Sequence, residues 1–472
     1  MVATTAHRLA AGTLPPAGRP APRGRATQAA AKPAWQVRLF LGALAVPWII
    51  PVGPLNLSVY RIVLLASLSP CIIAWLRGDA GRIRAADIAL LLFALWSDLA
   101  LIHAHGLGGA AQPAGILFVE TMGAYLLARC YIRDAEAFRG MVAFMARLVI
   151  LLLPFALFEW LTGYKPLLVA FGTVFPTVDS TLMSPRMGFW RVQGPFEHSI
   201  LFGTVCGSLF SLTALVLGRS MSWLPRLLLA GTVGFTAALS MSSAPMAGLA
   251  LQGALMTWNA ALKSFPGRWK VLWGLVLVAY LVVEFGSNQT PIAFYISKFT
   301  FDGETGWYRM FIWQYGSASV LAHPLFGIGQ ADWARPAWMA SNSVDNFWLL
   351  IAMRYGLPAV TLLAAAFLFV MFSVSGRKLQ DDTVEAYRIG YLLCLASFAI
   401  VGCTVHFWTA PYVWLMFLLG SGAWLLEQEA PKPAKGIRPS GQRRAGATSP
   451  AYGPPSRRRT PRRRAPYDAG EK

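Results

Sequence analysis

Ser343-Val344-Asp345-Asn346-Phe347-Trp348 runs without a break into the apolar stretch Leu349 to Val374, whose first turns carry Arg354-Tyr355-Gly356-Leu357-Pro358. A polar loop that passes directly into so long an apolar run marks a chain entering a bilayer from water. Ionisable and hydrogen-bonding groups held at that boundary suit chemistry on a substrate whose tail lies in lipid and whose head projects outward.

The rest of the chain repeats the pattern. Of its 472 residues 56% are hydrophobic and 13% charged, and the mean hydropathy is +0.50. One globular core cannot bury that much apolar surface, so a soluble protein is excluded. Apolar runs near the roughly 20 residues that cross a bilayer recur at 36–54, 60–76, 85–103, 112–130, 140–162, 199–217, 223–242, 245–262, 269–286, 346–374, 389–405 and 407–426. The expected fold class is all-α, a polytopic membrane bundle of about twelve transmembrane helices.

Charge orients them. Arg77, Arg82 and Arg84, then Arg129, Arg133 and Arg139, then Arg219 and Arg226, then Lys263, Arg268 and Lys270, then Arg377, Lys378 and Arg388 fall at every second connection, which are therefore cytoplasmic. The alternate connections include two long outer loops, about 163–198 and 287–345, and an even number of helices leaves both termini inside.

The net charge of +20 resembles a nucleic-acid signature but is mostly terminal. Residues 1–38 and 427–472 together hold eighteen Lys/Arg against four acids, so they carry fourteen of the twenty positive charges. Both are rich in Pro, Gly, Ala and Arg, a composition that cannot build a core. The domain reading is a disordered basic tail at 1–38, a membrane domain at 39–426 and a second disordered Arg/Pro-rich tail at 427–472, the tails resting on anionic lipid rather than on nucleic acid. Cys71, Cys130, Cys206, Cys394 and Cys403 show no paired spacing and read as packing residues. His103 and His105 lack a further ligand nearby and are assigned no metal.

Long loops inside a compact bundle are usually functional. The first contains Arg186-Met187-Gly188-Phe189-Trp190-Arg191-Val192-Gln193-Gly194-Pro195-Phe196-Glu197-His198. Arg186 and Arg191 have the planar fork that clamps phosphate through bidentate, charge-assisted hydrogen bonds. A snorkelling interfacial arginine accounts equally for either one alone. The second loop carries Arg309 in the first turn of an amphipathic segment at 308–320, whose apolar stripe reads as Tyr308, Phe311, Ile312 and Tyr315. His323-Pro324 should stop that helix, with Gly327 and Gly329 shaping the turn beyond. The turn Ser240 to Pro245 reads as close packing by small residues.

In their order, Arg191-x-x-Gly194-x-Phe196-x-His198, Gly306-x-x-Arg309 with Trp313, His323-Pro324-Leu325-Phe326-Gly327-Ile328-Gly329, and Asp345-Asn346 followed by Gly356 resemble the O-antigen ligase and polymerase superfamily. Tyr125-Leu126-Leu127-Ala128-Arg129 and Glu159-Trp160-Leu161-Thr162-Gly163 are similar to its pattern as well, so the resemblance covers roughly residues 40–426. It implies a GT-C type membrane fold whose periplasmic loop carries short helices. It also implies a glycosyltransferase that takes glycan from an undecaprenyl diphosphate-linked oligosaccharide on the outer face of the bacterial inner membrane. No metal or other cofactor is implied, and partners in a polysaccharide export assembly are.

Relatives with ligase activity resemble His-Asn where this chain has Asp345-Asn346, and that His is taken to activate the acceptor hydroxyl. A carboxylate can do the same work. The substitution favours an exopolysaccharide-type polymerase over a lipid A core ligase. Asp345 is also a good helix N-cap, so base and cap stand side by side. A glycosyl diphosphate is already activated, so the enzyme must hold the leaving diphosphate, stabilise its charge and deprotonate the acceptor. Arg191 and Arg309 are expected to do the first two and Asp345 the third. Arg186, His198, His323 and Asn346 are expected to bind substrate, with the two histidines in reserve as base or diphosphate donor. Glu120 and Arg354 lie at span depth, where an unpaired charge is costly, so each should have a partner or face a wet cavity, as a groove for the lipid diphosphate would provide. About twelve helices also suit a transporter or a lipid-linked glycan flippase, but the informative polar residues gather at one face, in loops, rather than at mid-membrane.

Overall fold

The computed structural model describes residues 34–428 apart from 54, 289 and 299–302, and both predicted tails lie outside it except for residues 34–38 and 427–428. It is mostly helical. The first expected span is corrected: α1 (Trp35–Ala43) has only nine residues and begins inside the expected tail. Residues 49–58 form an antiparallel hairpin of β1 (Ile49–Val52) and β2 (Leu55–Ser58). Pro47 and Pro51 break any helix there. The backbone N–H groups of Ile49 and Val178 bond to the carbonyls of Pro176 and Pro47, which joins the hairpin to the first long loop.

α2 (Val59–Leu76), α3 (Ala85–Phe118) and α4 (Ala124–Tyr131) follow, with α3 and α4 forming a run of 47 residues. Straight, it would measure about 70 Å. Yet Asp87 near its start and Arg129 near its end lie 3.2 Å apart. The run therefore doubles back, at Gly106 with φ 67°, ψ 171°, and holds both passes expected at 85–103 and 112–130. Asp87 accepts from Arg129, Trp75 and Tyr125, so the Tyr125 to Arg129 motif is a buried lock at one end of the bundle. Arg129 is 2% and Asp87 0% exposed. Removing one partner of such a pair leaves a bare buried charge, so Arg129→Ala should cost about 3 to 5 kcal/mol and lower the thermal unfolding midpoint in detergent. A wild-type midpoint would dismiss the lock.

Beyond α5 (Ala135–Thr162) and the short α6 (Pro166–Gly172) come α7 (Ser199–Leu212), α8 (Trp223–Ala238), α9 (Ser243–Ala261) and α10 (Arg268–Gly286). The second long loop carries α11 (Pro291–Lys298) and α12 (Gly303–Ala322), before α13 (Phe347–Ser375), α14 (Asp382–Val401) and α15 (Ala410–Ser421). Among the described residues, seven helical runs are long and apolar enough to cross a membrane, fewer than the expected twelve. The difference has identifiable parts. One run holds two of the expected spans, α1 has nine residues and α8 sixteen, α9 is not among the seven, and Ala410–Leu426 is a shorter apolar helix.

α12 ends at Ala322, before His323-Pro324, as expected. Its buried stripe is Gly306, Arg309, Ile312, Gly316 and Val320; of the expected stripe Ile312 is buried, while Tyr308, Phe311 and Tyr315 flank it half-buried. Gly316 sets the rotation, because a Cβ there would meet Leu349 and Met353 of α13 at about 3 Å. Arg309 is thereby turned inward.

Residues 323–329 interlock with a kink in α13. Gly356 adopts φ 84°, and a Cβ on it would strike the carbonyl of Leu325 at 1.9 Å. The kink, with Pro358 beyond it lacking an N–H, releases backbone carbonyls from the helix. Those of Met353 and Arg354 are taken up by the N–H groups of Ile328 and Gly329. His103 packs on Phe326 and His105 Nε2 accepts from the Gln330 N–H at 2.7 Å, so the two histidines hold this loop in place.

Candidate active site

The loop at 186–198 is clamped by the end of α5. Glu159 accepts the backbone N–H groups of Gln193 and Gly194 at 2.8 and 3.0 Å. Trp160 stacks on Phe189 at 3.9 Å, and its carbonyl accepts from Trp190. Gly163, at φ 74°, leaves room for the Trp190 ring, which a Cβ would meet at 2.8 Å. The Glu159 to Gly163 motif is thus a mount for the arginines. Between them Met187 (φ 51°) and Gly188 (φ 84°) make a tight reversal closed by paired backbone bonds between Arg186 and Phe189. A non-glycine residue at positive φ stores strain that the surrounding fold must hold.

The Ser240 to Pro245 turn is more than packing. Met241 offers its carbonyl to Arg186, and Ser242 Oγ accepts from Arg191 at 3.0 Å. Sequence reading missed these contacts because the partners lie about fifty positions apart. Arg309 arrives from α12 close enough that its charge lowers the pKa of Arg191. Three guanidinium groups are therefore gathered, with one carboxylate: Asp345 lies 3.8 Å from Arg309.

Their electrostatics are unresolved within the protein. Arg309 is 5% exposed and Asp345 33%. Arg309 Nε and Nη1 and Arg191 Nε have no hydrogen-bond partner among the described residues. Burial first, then the charges of Arg186 and Arg309, bring Arg191 down to about 10, so it stays protonated at neutral pH and loses its charge only above that value. Burial also lowers Arg309, with Asp345 opposing. Buried, unsatisfied donors bearing like charges have the character that binding an anion requires.

Asn346, not Asp345, caps α13: its side chain accepts from the Leu349 N–H at 3.0 Å. The cap reading of Asp345 is corrected, and the side-chain oxygen of Asn346 is engaged by the cap. Asp345 instead accepts from Ser343 Oγ and faces Arg309.

His198 sits beside Arg191 and is depressed to about 4, by burial first and then by Arg191, Lys165 and Arg186. It is neutral at pH 7, and its Nδ1 accepts from the Ile200 N–H at 3.1 Å. Its proton then lies on Nε2, which suits a donor and not a base. His323 is not brought into this cluster. It is exposed at the far end of α12, about 21 Å along the helix from Arg309. Glu120 and Arg354 line a different cavity, where Glu120 is paired with Arg61 at 2.8 Å and accepts from Tyr60.

Arg309 and Asp345 fall within the segment that known proteins illuminate. Residues 227–364 match the O-antigen ligase family. The match bears out the resemblance to the O-antigen ligase and polymerase superfamily and supports an enzyme of glycosyl transfer in a multi-pass membrane protein. The O-antigen ligase segment covers under a third of the chain, including the interlock at 323–329 with Gly356, and stops short of Arg186, Arg191 and His198. No curated protein matches the chain.

Proposed function

We propose that the chain is an inner-membrane polysaccharide polymerase that transfers glycan from an undecaprenyl diphosphate-linked oligosaccharide to an acceptor repeat unit at the periplasmic face. The observation that carries this reading is the pair Arg191 and Arg309, whose buried N–H groups lack hydrogen-bond partners among the described residues beside the Asp345 carboxylate, with Arg186 adjacent. The acceptor hydroxyl attacks the anomeric carbon, its proton passes to Asp345, and the bond to the diphosphate breaks with its electron pair leaving on phosphate oxygen. The guanidinium groups meet that growing charge. His198 Nε2–H is placed to donate a further hydrogen bond. A single direct displacement inverts the anomeric centre. A lipid A core ligase is the second reading, favoured by the family description at residues 227–364.

Purified protein in liposomes with a defined undecaprenyl diphosphate oligosaccharide and no other acceptor should lengthen the glycan. Translocation without lengthening would make it a flippase, and lengthening only after lipid A core is supplied would make it a ligase.

The topology proposed with this reading has about twelve crossings, loops 163–198 and 287–345 outside and both termini inside. Single cysteines at Ser180 and Ser341, both exposed, in a background lacking native Cys should react with an impermeant thiol reagent in intact spheroplasts. Labelling at Ser440, which lies outside the described residues, would invert the arrangement.

A further inference from the structure

α13 presents two faces near its N-terminus. Leu349 and Met353 pack on α12 at Gly316, the side of Arg309. Phe347, Leu350, Ile351 and Arg354, spaced i, i+3, i+4 and i+7, line a separate cavity of about 520 Å³. Arg61, Gln112, Glu120, His406 and Trp408 complete the walls that matter here. None of Arg186, Arg191, Arg309 or Asp345 lines it. The Trp408 indole N–H donates to Glu197, the neighbour of His198, and so joins the cavity wall to the loop that carries Arg191.

The cavity is large enough for a small-molecule ligand, and its lining combines aromatic residues with Gln112 and Gln330, side chains of the kinds that recognise saccharides. Its charge is not balanced. Arg61 is answered by Glu120, whereas Arg354 has no ion-pair partner among the described residues. His406 adds no charge at neutral pH, since burial first and then Arg354 depress it to about 3.

We propose, resting on the glycosyltransferase reading, that this cavity is the acceptor subsite and takes a saccharide bearing a carboxylate or a phosphoryl group, with Arg354 as its anion partner. Phe347 follows Asp345 by two residues, so a chain seated here extends its terminal hydroxyl past the start of α13 toward Asp345. The donor diphosphate and the acceptor then occupy opposite sides of one helix terminus.

The test is equilibrium dialysis of the full-length protein in nanodiscs against radiolabelled tetramers of glucose, of glucuronate, and of glucose carrying one phosphate. At least one charged tetramer should bind about tenfold more tightly than the neutral one, which is about 1.4 kcal/mol. Arg354→Gln should abolish that preference and Arg309→Ala should leave it. Preference for glucuronate assigns a uronate-containing repeat unit, and preference for phosphate a phosphorylated core saccharide. Equal binding of all three, binding of none, or a preference untouched by Arg354→Gln overturns the proposal. Because dialysis needs no turnover, a protein that binds yet transfers no glycan refutes the enzyme reading and not the subsite. Where transfer is measured, Arg354→Gln should raise the KM for acceptor about tenfold and leave that for donor unchanged.

Discussion

Asp345→Asn is expected to lose polymer formation by roughly 10² to 10⁴ while keeping its thermal stability in detergent. The amide keeps the size and one accepting oxygen of the carboxylate but cannot take the proton of an acceptor hydroxyl. Stability should survive because the cap of α13 is Asn346, which the substitution leaves alone. The complementary change makes the distinction sharp: Asn346→Ala removes the cap and should cost about 0.5 to 2 kcal/mol of stability. Asp345→His should retain part of the activity and move the acid limb of the pH profile to about pH 6 to 7, where a histidine exchanges its proton. Normal product from Asp345→Asn would remove Asp345 from proton transfer. His198 is a poor replacement in that event, since its Nδ1 is committed to Ile200.

Arg191→Ala and Arg309→Ala should each reduce turnover at least about tenfold, since a charge-assisted contact to a developing diphosphate is worth on the order of 2 to 4 kcal/mol. Their stability should move the other way or not at all. Neighbouring guanidinium groups lower the proton affinity of Arg191, through Arg186 and Arg309, and of Arg309, through Arg186, so deleting one relieves repulsion in the unliganded protein, as expected where a site is built for a ligand rather than for the fold. Lys at either position should restore only part of the rate, because a point charge does not reproduce the bidentate fork. Initial rates of glycan lengthening, measured beside unfolding midpoints, test both statements. Full activity in either alanine variant would take that arginine out of the site, and lost activity with collapsed stability would make it structural.

The arginine loop and the helix entered at Phe347 were legible because their signals are local. Apolar runs of bilayer length, basic residues at alternate connections, the stop at His323-Pro324 and the sequence motifs are each written within a few consecutive residues. That sufficed for an all-α membrane protein, for the superfamily, and for Arg186, Arg191, Arg309 and Asp345 as candidates. Local signals also misled. Asp345 and Asn346 are both good caps, and the difference of one residue, which frees the carboxylate to face Arg309, is set by where α13 begins. The stripe on α12 was read from side-chain polarity, but its rotation is set by the close approach of Gly316 to Leu349 and Met353.

What only the tertiary structure decided is which distant groups meet. Arg191 reaches Ser242 across 51 positions, and His105 holds Gln330 across 225. Glu120 and Arg354 share a cavity apart from the arginine cluster. No periodicity predicts such pairs. A helix or a cap is determined by neighbours within about four residues, whereas a site is determined by how buried faces pack, and packing depends on the shapes of all the surfaces brought together.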